Sequence, residues 1–166
     1  FLYARREMQH LLEPLVVSFR FNKEREKRSR FLAEQQWQGI RDPAAFLSVP
    51  AAIRFAKEHD WPSVRRECHE LLRYARRRIG ELTALPPLTP DSPAWFAQVG
   101  VVPIPPCDGQ ALRRRLFEEY QIEIPITGWN DQRFVRVSIQ GYNTKEDVDA
   151  LVEALGALLE ETRAGS

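Results

Sequence analysis

Apolar and polar positions along the chain change period several times, and each change marks an element. In VRVSIQ (135–140), Val135, Val137 and Ile139 alternate with Arg136, Ser138 and Gln140. A period of two is that of a half-buried strand, and the pattern predicts one over 134–140. WFAQVGVVPIP (95–105) and IEIPITGW (122–129) read as two further strands, and only WNDQR separates the last two, a hairpin-length connection. Three- and four-residue spacing takes over elsewhere. Val64, Cys68, Leu71, Leu72, Ala75 and Ile79 form one stripe after Trp61-Pro62-Ser63, with Gly80 as the expected end. Leu112, Leu116 and Phe117 form a second stripe between the first two strands. Val148, Leu151, Val152, Leu155, Leu158 and Leu159 form a third, behind Thr144 as N-cap and Glu146 and Asp147 in the first turn. These elements predict an α+β fold: a small, mostly antiparallel sheet of about three strands covered by helices.

The first half is less regular. Phe1–Tyr3 looks like a buried strand or its end, Arg5–Leu12 a short turn or helix, and LVVSF (15–19) a strand. NKEREKRSRF (22–31) is a charge run, read as a solvated loop or helix face. Asp42-Pro43 suits a helix start, Asp as N-cap and Pro at N1, with Pro50 allowing a kinked or renewed helix beyond it. LPPLTPDSP (85–93) is a connector between subregions. A chain opening FLYARRE, inside an apolar element and without methionine, reads as a piece of a longer protein.

Composition narrows the function classes. Of 166 residues, 43% are hydrophobic and 28% charged, as in ordinary folded domains, and the net charge of +1 creates no overall field for nucleic acid or a membrane. No apolar run reaches the ~18 residues of a membrane span. Cys68 and Cys107 read as free thiols of a reducing cytoplasm. His10, His59 and His69 lack metal-ligand spacing. Cys107 precedes a helix start but has no visible partner base. The arginines of RRECHELLRYARRR (65–78) could meet nucleic acid, although no nucleic-acid motif accompanies them.

Two segments carry more. RVSIQGYNTKEDVDALVEAL resembles the C-terminal end of class V aminotransferases, fold-type-I pyridoxal-phosphate enzymes, in which an R-x-S strand precedes Y-N-T and an acidic helix start. WQGIRDPAAFLSVPAAIRF resembles the W-x-G-T-R-D-P segment of the isopenicillin N epimerase-like branch, and FLYARRE the strand that follows the cofactor lysine. The resemblance implies that residues 1–43 end a large domain and its connecting segment, and that 44–166 are the C-terminal small domain. It implies that Arg136 grips the carboxylate of a small amino-acid substrate, since a planar guanidinium offers two parallel charge-assisted bonds. Gly39, Ile40, Arg41 and Asp42 would flank the cofactor. Ile40 stands where the family usually has a threonine that reaches the cofactor phosphate of the other subunit of a homodimer. The cofactor lysine would lie upstream of Phe1, and none of Lys23, Lys27, Lys57 and Lys145 has its context. The resemblance therefore implies a fragment with no catalytic residue of its own and no covalently held pyridoxal phosphate, from a cytoplasmic enzyme that binds neither membrane nor nucleic acid. Two other readings are a non-catalytic dimerisation module and nucleic-acid binding through 65–78.

Overall fold

A computed structural model describes residues 2–17, 29–36 and 39–164. The chain forms two compact units, Phe1–Ala52 and Ile53–Ser166.

In the first unit, a 3-10 helix spans Arg6–Leu11 and α1 spans Arg30–Gln36, where Phe31, Ala33 and Glu34 are buried. Leu2 and Tyr3 lie outside any strand and are exposed, contrary to the expectation from the pattern. So short an apolar run stabilises a strand only where a neighbouring strand pairs with it. Leu15–Val17 are likewise not in a strand, while Ser18, Phe19 and most of the charge run, 22–28, lie outside the described residues. Helix α2, Ala44–Glu58, crosses the division between the units. Its start follows the expectation, with Asp42 Oδ1 accepting from the Ala44 amide at 2.9 Å. Pro50 sits inside it without ending it.

The second unit is the predicted α+β layer. Helix α3 is Trp61–Thr83, β1 Val99–Ile104, α4 Gly109–Tyr120, β2 Ile126–Trp129, β3 Gln132–Ser138 and α5 Lys145–Ala164. The sheet is antiparallel throughout, in the order β1-β3-β2. Leu72 and Ile79 of α3, Leu116 of α4, and Leu155 and Leu158 of α5 pack with Ile104 and Val135 in one core, from which water is almost wholly excluded. The helices therefore cover one face of the sheet.

Several boundaries moved for identifiable reasons. Helix α3 runs through Gly80 to Thr83, because Ile79 and Thr83 continue its buried stripe; Ala84 then caps it in the left-handed region, φ 55°. β2 starts only at Ile126. Upstream, the Ile122 amide caps α4 by donating to Leu116 O at 2.9 Å, and Pro125 has no amide to give. β1 starts at Val99 because Trp95 still belongs to a turn, donating to Ser92 O. The hairpin is tighter than the pattern implied: Asn130 and Asp131, φ 48° and 60°, form a two-residue turn of the type that matches strand twist.

Candidate functional site

β3 is the central strand, and its register decides what Arg136 can do. Val135 and Val137 point into the core, so Phe134, Arg136 and Ser138 share the other face. Val101 of β1 stands directly opposite Arg136, with Val99 beside Ser138 and Pro103 beside Phe134. The Arg136 amide donates to Pro125 O at 3.0 Å, tying the backbone to the β2 side. The guanidinium is exposed, and among the described residues no carboxylate pairs with it. An unpaired planar cation on a strand held from both sides is a pre-oriented receptor for a carboxylate.

The residues after the strand are occupied with local structure. Gln140 Oε1 accepts from the Gly141 amide at 2.9 Å and from Gln98 Nε2 at 3.4 Å, so the side chain is engaged in the turn. Asn143 Oδ1 accepts from the Gln140 amide at 2.9 Å. Thr144 and Asp147 cap α5 reciprocally: the Thr144 amide donates to Asp147 Oδ2 at 2.9 Å, and the Asp147 amide to Thr144 Oγ1 at 3.3 Å. A Cβ on Gly141 would lie 2.9 Å from Val64 Cγ1, so a larger residue in this turn would force the start of α3 or the Val64 side chain to shift. The Y-N-T segment thus sets where β3 ends and α5 begins, which holds the strand carrying Arg136.

In the first unit, Gly39, Ile40 and Arg41 share a shallow cavity of about 500 Å3 with Phe46, while Asp42 caps α2. Gly39 has φ +120°, a conformation that favours glycine. Ile40 is 98% exposed and has no side-chain donor. The Arg41 guanidinium lies 4.7 Å above the Phe46 ring. A phosphate held by a threonine hydroxyl at position 40 therefore does not fit this chain. Trp37 and Gln38 lie outside the described residues, as do Lys23 and Lys27. Lys57 lies in the last turn of α2, and Lys145 Nζ lies 5.1 Å above the Tyr74 ring.

His59 and His69 have local partners. His59 Nδ1 is 2.9 Å from Phe55 O and its ring stacks on Phe55; His69 Nδ1 is 3.0 Å from Ala97 O. No group of three His, Cys, Asp or Glu residues able to hold a metal occurs among the described residues. Burial pushes the Cys107 thiol above its ordinary pKa, outweighing Arg133, so the helix start does not activate it. Along 65–78 the arginines are largely engaged. Arg73 pairs with Asp91 at 2.8 Å and Glu70 at 3.0 Å, and Arg78 with Asp149 at 2.8 Å; Arg66 donates to Ser63 Oγ at 2.6 Å. No helix among the described residues is long and apolar enough to cross a membrane.

Comparison with known proteins agrees with this arrangement. No protein-family model matches the chain. It is 31% identical over 168 aligned residues, 95% of its length, to an isopenicillin N epimerase of Amycolatopsis lactamdurans. It is 33% identical over 131 residues, 78% of its length, to an isopenicillin N epimerase of Streptomyces clavuligerus. These matches span 42% and 33% of the relatives' own length. The fold overlays 96% of the chain on 42% of an apo cysteine desulfurase from Thermococcus onnurineus NA1, with a TM-score of 0.72 at 17% identity. The chain belongs to the class V aminotransferase family of pyridoxal-phosphate enzymes, and it corresponds to a C-terminal part of its isopenicillin N epimerase and cysteine desulfurase members.

Proposed function

We propose that this chain supplies the substrate-carboxylate arginine of a pyridoxal-phosphate-dependent enzyme acting on a small amino acid, and that this arginine is Arg136. The observation that carries the reading is the exposed guanidinium on central strand β3, with no carboxylate partner among the described residues. Two N–H groups of the planar fork donate in parallel to the two carboxylate oxygens, so one residue both binds the amino acid and fixes its rotation. With the carboxylate anchored, the amino group and Cα take a set direction from the sheet. The rest of the protein holds the cofactor in this reading, since position 40 offers no threonine to its phosphate. A homodimer is part of the same proposal.

The test uses a protein carrying the family's full length. Arg136→Ala removes two charge-assisted bonds and is expected to raise the substrate KM by about 30-fold or more. A KM within twofold of the wild type would remove Arg136 from the role.

A second reading, a non-catalytic interaction module, draws support from α2. None of its residues is buried, and Phe46, Leu47, Val49, Ile53 and Phe55 are exposed. An uncovered helix this apolar is an interaction surface in waiting. Sedimentation of the 166-residue chain separates the readings: self-association abolished by Phe46→Ser with Leu47→Ser supports the module, and a monomer at every concentration removes it.

A further inference from the structure

A second cavity, of about 670 Å3, lies between α3, the proline-rich connector and the free edge of β1. That volume suits a small organic molecule. Its charged groups are unevenly matched. Arg73 is held between Asp91 and Glu70, and Arg77 lies 3.9 Å from Glu81. Arg76 alone of these arginines has no carboxylate partner among the described residues. Its Nη2 donates to the Thr89 carbonyl at 2.7 Å and to Thr89 Oγ1 at 3.1 Å, and its guanidinium lies 3.9 Å above the Phe96 ring. Its Nη1 is closed to water and makes no hydrogen bond among the described residues. An unmatched buried donor costs stability, so its retention calls for an explanation.

The rest of the lining says what would match it. Leu85, Pro87, Val101 and Pro103 supply apolar wall. Val101 also supplies main-chain polar groups. Because Arg136, opposite it, bonds toward β2, the Val101 amide and carbonyl point away from β3 to the open edge. Asp91, Glu70 and Glu81 oppose any ligand carrying two negative charges, and Asp91, bonded to Arg73, acts on Arg76 only through space, so a neutral ligand leaves Arg76 without a hydrogen-bonded carboxylate.

We propose that this cavity binds a small monocarboxylic acid with an apolar body, its carboxylate on Arg76 and its body against Leu85, Pro87 and Val101. The guanidinium turns outward about its Thr89 contact to bring Nη1 to the carboxylate. Arg136 does not line the cavity, so this site is separate from the one proposed for the amino acid.

The test is a titration of the 166-residue chain with hexanoate, hexanamide and inorganic phosphate, followed by amide NMR shifts of α3 and β1. Hexanoate is expected to move the Arg76 and Val101 resonances saturably, and the other two compounds are not. Arg76→Gln is expected to weaken hexanoate at least about tenfold. Leu85→Glu leaves Arg76 in place but sets a carboxylate in the wall, and is expected to do the same, which keeps the test valid if Arg76→Gln does not fold. Arg136→Ala is expected to leave hexanoate binding unchanged, so the two proposals fail separately. Absence of saturable shifts in the folded wild type, equal binding of hexanamide or phosphate, or undiminished binding by a folded variant would each overturn the site.

Discussion

Arg136 and Arg76 differ in what surrounds an unpaired guanidinium. Arg136 stands exposed on a rigid strand, so its charge is unopposed and its fork is free to meet a carboxylate. Arg76 is half-buried against Phe96, and burial holds its pKa below the ordinary arginine value, though a guanidinium stays charged at any neutral pH. Geometry as well as charge is at stake at Arg136. Arg136→Lys keeps the charge but loses the planar fork, so in the full-length protein its KM is expected to fall between those of wild type and Arg136→Ala. A lysine variant as impaired as the alanine one would assign the whole effect to geometry; one equal to wild type would assign it to charge.

At the scale of elements, the caps and the turn do much of the specification. Thr144 and Asp147 close the first turn of α5 on each other, and Asp108 Oδ1 accepts from the Gln110 and Ala111 amides at the start of α4, each at 3.0 Å. Thr144→Ala is expected to cost about 0.5–2 kcal/mol, read from the urea midpoint at unchanged slope. The hairpin turn holds Asp131 at φ 60°, where glycine is unstrained. Asp131→Gly is therefore expected to raise stability by about 0.5 kcal/mol, visible as a higher melting temperature. A lower one would mean that the Asp131 side chain contributes more than its backbone strain takes away.

For the whole molecule, charge pairing sets the response to acid. The Asp91 carboxyl is held below its usual pKa by the hydrogen bond from Arg73, that of Glu119 by Arg115, and that of Asp108 by the Ala111 and Gln110 amides. A folded pKa below the unfolded one means a contribution fully present above the unfolded value, about 4 for carboxylates, and lost as pH falls through the folded value. The urea midpoint is expected to hold steady from pH 7 to about 5 and to drop below about pH 4. Asp108→Asn is expected to flatten that drop, and an unaltered acid limb would exclude Asp108 as a contributor. All three groups are exposed, so salt is expected to weaken the Arg73 and Arg115 pairs.

The period of apolar residues, the caps and the Y-N-T tail were enough to place the second unit's helices and strands, the antiparallel hairpin and Arg136 on the solvent side of β3, because each is set by residues within a few positions of one another. They also carried the family likeness, since the R-x-S strand and its helix cap form one continuous segment. Element ends were less legible: β2 lost its first residues to the cap of α4, and α3 outran Gly80 because packing against the core outweighed one glycine. What only tertiary structure decided is which charges are spent. Arg76 meets Thr89 thirteen residues away, Arg73 meets Asp91 eighteen away and Arg78 meets Asp149 seventy-one away. A helix read as six similar arginines became a set of clamps, with the Arg76 guanidinium left stacked on Phe96 without a carboxylate among the described residues, because a charge finds its partner across packed elements and not along the chain.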